Sequence, residues 1–293
     1  MKIDEFKSEI ETKRPSYRKI QIPKHNGSMR EIFIPDDLTL DIQKAILRDI
    51  NERVIFEPCV MAFKKDTSIL DNAKAHMGHD YLIRYDLKDF FDNISKARVK
   101  SVLESINFEP AFVKIILKWC LYRNHLPQGA ATSPILSNLV CASMDYRFTK
   151  LARKINATYT RYADDIIISG GKNIMQYQTI FKRIIRTEHF IINHKKTKIT
   201  ALDSYVTRQA DPNLHWFRLC HNVTGLALDK DTIHVRQSYI DDLSYHIRKV
   251  SEGKEHLKKE HLKGRINFVW YINHEDAKNL YQKFDSLFQN INS

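Results

Sequence analysis

Apolar and polar positions change period several times along the chain, and each change marks an element. Alternation in Arg18-Lys19-Ile20-Gln21-Ile22 and in Arg30-Glu31-Ile32-Phe33-Ile34 flanks His25-Asn26-Gly27-Ser28. Asn-Gly takes up the left-handed backbone of a tight turn, so this stretch predicts a β-hairpin. Leu38, Ile42, Ile46 and Ile50 recur at helical spacing and predict a helix over about 38–53. Short apolar runs at Tyr81–Tyr85, Ala157–Tyr162, Ile166–Ser169 and His189–Ile192 read as strands, alternating with helical stretches near 96–106, 110–120, 134–152 and 174–187. That mixture predicts an α+β arrangement in which helices back a sheet. Beyond Gly225 the pattern turns helical, near 235–250 and 274–290, around a charged stretch from Glu252 to His256.

Composition narrows this picture. Over 293 residues, 43% are hydrophobic and 28% charged, which excludes wholesale disorder. Eight Gly and eight Pro, without repeats or low-complexity tracts, predict subdomains in contact. Lys and Arg number 47 against 35 Asp and Glu, a net charge of +12 that suits a polyanionic partner. From Gly225 onward there are 11 basic and 10 acidic residues, so the excess lies in the N-terminal and central parts. Cys59, Cys120, Cys141 and Cys220 are far apart and form no CxxC pair, which argues against a zinc site or a disulfide framework. The N-terminus has no apolar signal region and no run approaches about 20 apolar residues, so a cytoplasmic protein without membrane contact is expected.

Candidate chemistry lies in the acids. Tyr162-Ala163-Asp164-Asp165 sits between two strand-like runs and presents two carboxylates at a turn. Alone, an Asp-Asp pair reads as a polar turn. A third acid, Asp86, ends the run Tyr81–Tyr85 in a similar setting. Carboxylates converging from neighbouring strands suit hard divalent cations, which prefer oxygen and bind phosphates alongside it. Two such ions, about 3.5–4 Å apart, serve in-line nucleotidyl transfer.

Asp86 with Phe90-Phe91, the run Leu126-Pro127-Gln128-Gly129-Ala130-Ala131-Thr132-Ser133-Pro134, and Tyr162-Ala163-Asp164-Asp165 resemble, in order and approximate spacing, the palm of a reverse transcriptase. The resemblance implies a right-hand polymerase fold: fingers over 1–78, palm over 79–224 with a helical segment near 96–125, and a helical thumb over 225–293. It implies that Asp86, Asp164, Asp165 and the backbone carbonyl of Leu87 hold two Mg²⁺ ions, with Mn²⁺ as an alternative. By the same resemblance Arg30 grips the triphosphate of a deoxynucleoside triphosphate, Phe91 lies against its sugar, and Gln128-Gly129 admits nucleotide and primer-template. Lys24 is a candidate helper of Arg30 and equally a solvated lysine. Asn193-His194-Lys195-Lys196-Thr197 resembles the next family motif, from which Lys196 is favoured as the catalytic proton donor; a charged strand end is the plainer reading. Ala131 stands where many relatives have Pro, which softens the turn.

Two further segments resemble retron reverse transcriptases: Asn72-Ala73-Lys74-Ala75-His76, an Asn-Ala-x-x-His signature, and Val223-Thr224-Gly225 at the palm-thumb junction. Departures occur at Ala62-Phe63, at Asp229 and in a long segment over 201–222. The retron resemblance implies recognition of a cognate structured noncoding RNA through Asn72, His76, Val223, Thr224, Gly225 and Arg265. It implies priming from the 2′-hydroxyl of an internal guanosine in that RNA, and a branched single-stranded DNA product (msDNA). It implies anti-phage defence with a separate effector protein encoded nearby. In the thumb, Arg236, Tyr239, Arg248, Lys249, Lys258-Lys259, Lys263, Arg265, Phe268, Trp270 and Tyr271 interleave charge with rings in a way that suits RNA loops, although their apolar spacing also suits a helix core. A group II intron or diversity-generating reverse transcriptase, and an RNA-binding scaffold that restrains an effector, stand as alternatives.

Overall fold

The computed structural model describes residues 3–23, 27–202, 220–252 and 259–281. A 3₁₀ turn, Ile3–Phe6, and α1, Lys7–Thr12, open the chain; neither buries a residue, which is why no apolar pattern announced them. Strands β1 (Tyr17–Pro23) and β2 (Met29–Pro35) pair antiparallel from Tyr17 with Pro35 to Pro23 with Met29, and Gly27 in the connection has φ +79°. Lys24, His25 and Asn26 lie outside the described residues. Helix α2, Asp37–Arg53, starts where the Asp36 carboxylate accepts the Thr39 N–H at 2.8 Å, and it buries Ile42, Ile46 and Ile50 as its spacing predicts.

The central sheet is antiparallel throughout. It consists of β3 (Tyr81–Asp86), β4 (Ala157–Tyr162), β5 (Asp165–Gly170) and β6 (Lys198–Ala201), in the order β4-β5-β3-β6. The two inner strands, β3 and β5, are covered on both faces and carry the apolar runs. Ile83, Tyr85, Ile166 and Ile168 face the main core, shared with α2, α4 (Lys96–Ser105), α5 (Pro110–Trp119), α6 (Ser133–Lys154) and α7 (Gln178–Thr187). Leu82 and Ile167 face a second core, shared with α3 (Ile69–Lys74) and the C-terminal elements. The helix predicted over 174–187 begins as a 3₁₀ turn, Lys172–Tyr177.

Two expectations are corrected. His189–Ile192 is not a strand: His189 has φ +58°, Phe190 turns into the core, and only Ile192 makes a bridge, to Leu87. The fourth strand is β6, whose alternation is too short to read in sequence. Nor is the region after 224 all helical. Three-residue strands β7 (His221–Val223), β8 (Leu226–Leu228) and β9 (Ile233–Val235) form a small antiparallel sheet at its root. Helices α8 (Gln237–Ser251) and α9 (Lys259–Ile272) follow, then a helical segment over 274–281. The expected helix beyond 281, the charged stretch over 253–258 and most of the long segment, 203–219, lie outside the described residues.

The N-terminal hairpin is seated on the loop before α6. The Phe33 N–H donates to the Gln128 carbonyl at 2.7 Å, and Gly129 has φ +115°. A Cβ at Gly129 would lie 2.7 Å from the Phe33 carbonyl oxygen and 2.9 Å from Ile32 Cγ2. The missing side chain therefore serves a close approach between the hairpin and the loop before α6. Gly129→Ala is expected to cost about 2 kcal/mol or more, through backbone strain and a displaced hairpin. A urea midpoint matching that of the native chain would show that β2 can retreat without loss.

Candidate active site

Pairing of β3 with β5 sets Asp86 directly opposite Asp165. Strands β4 and β5 close with Tyr162 paired to Asp165, leaving Ala163 and Asp164 as the two turn residues, and Ala163 has φ +56°. The Leu87 N–H donates to the Asp164 carbonyl at 2.9 Å, which ties the turn to the end of β3. The following loop is tied there too, since the Asn193 N–H donates to the Asp86 carbonyl at 2.8 Å. Both oxygens of the buried Asp86 carboxylate have partners: Oδ1 accepts from Asn193 Nδ2 at 2.9 Å and Oδ2 from Lys196 Nζ at 3.0 Å. Of the two lysines in that motif, Lys196 is the one bonded to Asp86. Asn193 was missed as a site residue, although it opens the same five-residue motif.

Charge is crowded here. Burial pushes the Asp165 carboxyl up to about 6, while Arg84, whose Nε lies 3.8 Å away, pulls it down and Asp164 and Asp86 push it further up. Burial also raises Asp164, as does Asp86, against the opposite pull of Lys196 and Arg30. An all-oxygen set, largely buried and with its negative charge only partly compensated, fits hard divalent cations. Among the described residues, no three His, Cys, Asp or Glu side chains already enclose a point where a metal ion would sit.

An aromatic group forms around the segment that follows Asp86. Phe91 is half-buried between Phe90, at 5.3 Å between ring centroids, and Phe63, at 6.4 Å, and Phe90 stacks on Phe190 at 5.6 Å. Phe63 is 45% exposed and has φ +60°; in sequence it showed only as part of an unusual Ala62-Phe63 pair. Arg30 is exposed on β2 and Gln128 is half-buried in the loop beneath it.

The residues expected to contact RNA are placed differently. Asn72 and His76 are wholly buried, as is Val223, so none of the three presents a side chain to solvent. Burial pushes the His76 imidazole down to about 3, helped by His79 and His221, and so keeps it neutral. Its Nδ1 lies 2.7 Å from Ser169 Oγ and its Nε2 2.7 Å from Thr160 Oγ1, while Thr160 Oγ1 donates to Asn72 Oδ1 at 2.6 Å. Asn72 Nδ2 reaches Thr224 Oγ1 at 3.5 Å, and Thr224 donates on to the Ile69 carbonyl at 3.3 Å. The two tripeptide-scale signatures thus meet inside the molecule. Gly225, at φ +90°, accepts from Arg236 Nε at 3.0 Å. Arg265 donates to Asp242 at 2.6 Å and lies over the Tyr239 ring, whereas Trp270 and Tyr271 are exposed. Lys24 and Lys258 lie outside the described residues.

The crowding has a measurable cost. The folded Asp165 carboxyl titrates near 6 and an unfolded one near 3.9, so folding takes up a proton between those values. The charge therefore weighs against the native state above about pH 6 and ceases to do so below about pH 4. With divalent cations chelated, Asp165→Asn is expected to stabilise the fold by on the order of 2 kcal/mol at pH 8 and by little at pH 4. Urea midpoints at the two pH values check this; an equal gain at both would remove Asp165 as its source.

Comparison with known proteins agrees with this geometry. Residues 22–235 match the family model described as reverse transcriptase (RNA-dependent DNA polymerase). The retron Ec86 reverse transcriptase of Escherichia coli is 30% identical over 254 residues, covering 86% of this chain and 74% of that protein. The retron Mx162 reverse transcriptase of Myxococcus xanthus is 27% identical, over 90% of this chain and 59% of the longer relative. Among solved structures, telomerase from Candida albicans, in complex with a fragment of telomeric RNA, superposes with a TM-score of 0.57 at 12% identity, over 97% of this chain and 56% of that one. That likeness shows the right-hand polymerase fold alone. By the family match and the retron relatives, the chain belongs to the reverse transcriptases, within the retron group.

Proposed function

We propose that this chain is an RNA-directed DNA polymerase that copies a cognate structured noncoding RNA into branched single-stranded DNA, primed from a guanosine 2′-hydroxyl. The observation that carries the reading is the placement of Asp86 opposite Asp165 across β3 and β5, with Asp164 in the adjoining turn. Asp86, Asp164, Asp165 and the Leu87 carbonyl would hold the two divalent cations, Mg²⁺ or Mn²⁺. When bound, such ions supply Lewis acidity for the attacking hydroxyl and the leaving oxygen. Arg30 draws the triphosphate toward the acids, and Gln128-Gly129 bounds the nucleotide from the hairpin side. Phe91, backed by Phe63 and Phe90, takes the sugar face and excludes a 2′-hydroxyl. Lys196, already at Asp86, exchanges that carboxylate for the phosphates and delivers a proton from Nζ to the departing pyrophosphate.

The wider reading follows the retron relatives. The noncoding RNA and its msDNA product are the nucleic-acid partners, a separate effector protein completes an anti-phage system, and the site of action is the cytoplasm. Thr224, Gly225 and Arg265 belong to the surface proposed to meet RNA, while Asn72, His76 and Val223 support it from inside. Among the described residues, no helix is long and apolar enough to cross a membrane.

Asp164→Asn is expected to lower nucleotide incorporation on a supplied template-primer by about 10³-fold or more, with the fold intact. Protein co-expressed with its flanking DNA is expected to carry a DNA band that shortens slightly after RNase. Bound RNA without DNA, from protein that extends a supplied primer, would remove the retron-type product from the reading.

A further inference from the structure

The turn that carries Asp164 and Asp165 is held from beneath by a side chain outside the metal-binding set. Arg161, on β4 two residues before Ala163, is fully buried and ion-pairs with the equally buried Asp145 of α6. The pairing is two-pronged: Nε donates to Asp145 Oδ1 at 2.8 Å and Nη2 to Oδ2 at 2.7 Å. Tyr159 steadies Asp145 further, its hydroxyl donating to Oδ1 at 2.6 Å. That leaves Nη1, which donates to the Ala163 carbonyl at 3.2 Å and to Asn138 Oδ1 at 3.1 Å. Asn138 in turn donates to the Ala62 carbonyl at 3.0 Å, next to Phe63.

We propose that Arg161 is a positioning residue for nucleotidyl transfer, fixing the left-handed Ala163 and hence the direction of Asp164 and Asp165, and linking that turn through Asn138 to the loop that carries Phe63. The inference rests on the reading of Asp86, Asp164 and Asp165 as the polymerase site. Ala163 lacks the conformational freedom of glycine, so its φ of +56° needs outside support. Arg161 supplies it at the Ala163 carbonyl, and the Leu87 N–H supplies it at the next carbonyl, that of Asp164. With both turn carbonyls bonded, the turn is held through its backbone and does not depend on the Asp164 and Asp165 carboxylates. Guanidinium suits the task because its planar fork spans four acceptor atoms on three residues at fixed angles, which an ammonium on one atom does not.

The test compares Arg161→Lys with the native chain and with Val113→Ala, a core truncation away from the site. Lysine keeps a positive charge for Asp145 and gives up the reach to Ala163. Steady-state incorporation on a template-primer is expected to show a kcat at least 10-fold lower with the nucleotide KM changed less than 3-fold. Mn²⁺ affinity of the protein alone, read from the free-ion electron paramagnetic resonance signal, is expected to fall several-fold. Val113→Ala, for a comparable loss in melting temperature, is expected to keep native kcat and Mn²⁺ affinity. Native kcat in folded Arg161→Lys, or an equal loss in Val113→Ala, overturns the proposal. If Arg161→Lys does not fold, the triple variant Arg161→Met, Asp145→Leu, Tyr159→Phe removes both charges and the hydroxyl together; it must fold and still lose kcat. Native kcat there, or failure of both variants to fold, also overturns it. Absence of incorporation by the native chain would instead refute the polymerase reading, so the two failures are distinguishable.

Discussion

Three carboxylates held together against their own repulsion set the terms for the rest of this molecule. Like charges facing each other across a sheet destabilise it, and here Asp86 faces Asp165 with Asp164 beside them. The fold brings them together by backbone pairing, which is indifferent to side-chain charge, and buries them enough to raise the two in the hairpin. Compensation is partial and comes from three neighbours: Arg84 on β3, Lys196 in the loop over 193–197, Arg30 in the hairpin. A site built this way has an electrostatic demand that a bound cation would meet.

The elements that surround the acids are deeply packed. β3 and β5 run through the middle of the sheet, with apolar layers on both faces, and α6 packs against β4 with a buried side that includes Leu136, Val140, Met144 and Phe148. Two hydrogen-bonded polar sets lie inside this layer. Arg161, Asp145, Asn138 and Tyr159 form one set under the turn; Asn72, His76, Thr160 and Ser169 form another at the far side of the same hairpin. Thr160 and Arg161 are neighbours, so one stretch of β4 serves both sets.

Sequence made the long elements and the acids legible, and it did so for different reasons. The stripe Leu38 to Ile50 and the strand runs carry their periodicity in side-chain chemistry, and Asp86, Asp164 and Asp165 stand out because paired acids beside apolar strands are expensive unless used. Strands of three or four residues, β6 to β9, were illegible because alternation needs more positions to be distinguished from chance. His189–Ile192 was misread because an apolar run records burial and says nothing of the φ of +58° at its head. Asn193, Phe63 and Arg161 were overlooked since their roles depend on what lies opposite them in space. Asn72 and His76 were legible as a signature, but a signature does not say whether its residues face outward or inward.

The inward-facing signature has a consequence for how this protein can be taken apart. Asn72 reaches Thr224, and Thr224 reaches the Ile69 carbonyl, so the root of the C-terminal sheet is bonded to α3 across about half the length of the chain. Val223, Leu226 and Leu228 share a core with Leu70 and Ala73 on that same helix. The border expected near residue 224 from sequence is therefore not a seam in space. A chimera that exchanges everything after residue 224 with a relative inherits a socket cut for a different plug, unless residues 69–76 travel with it.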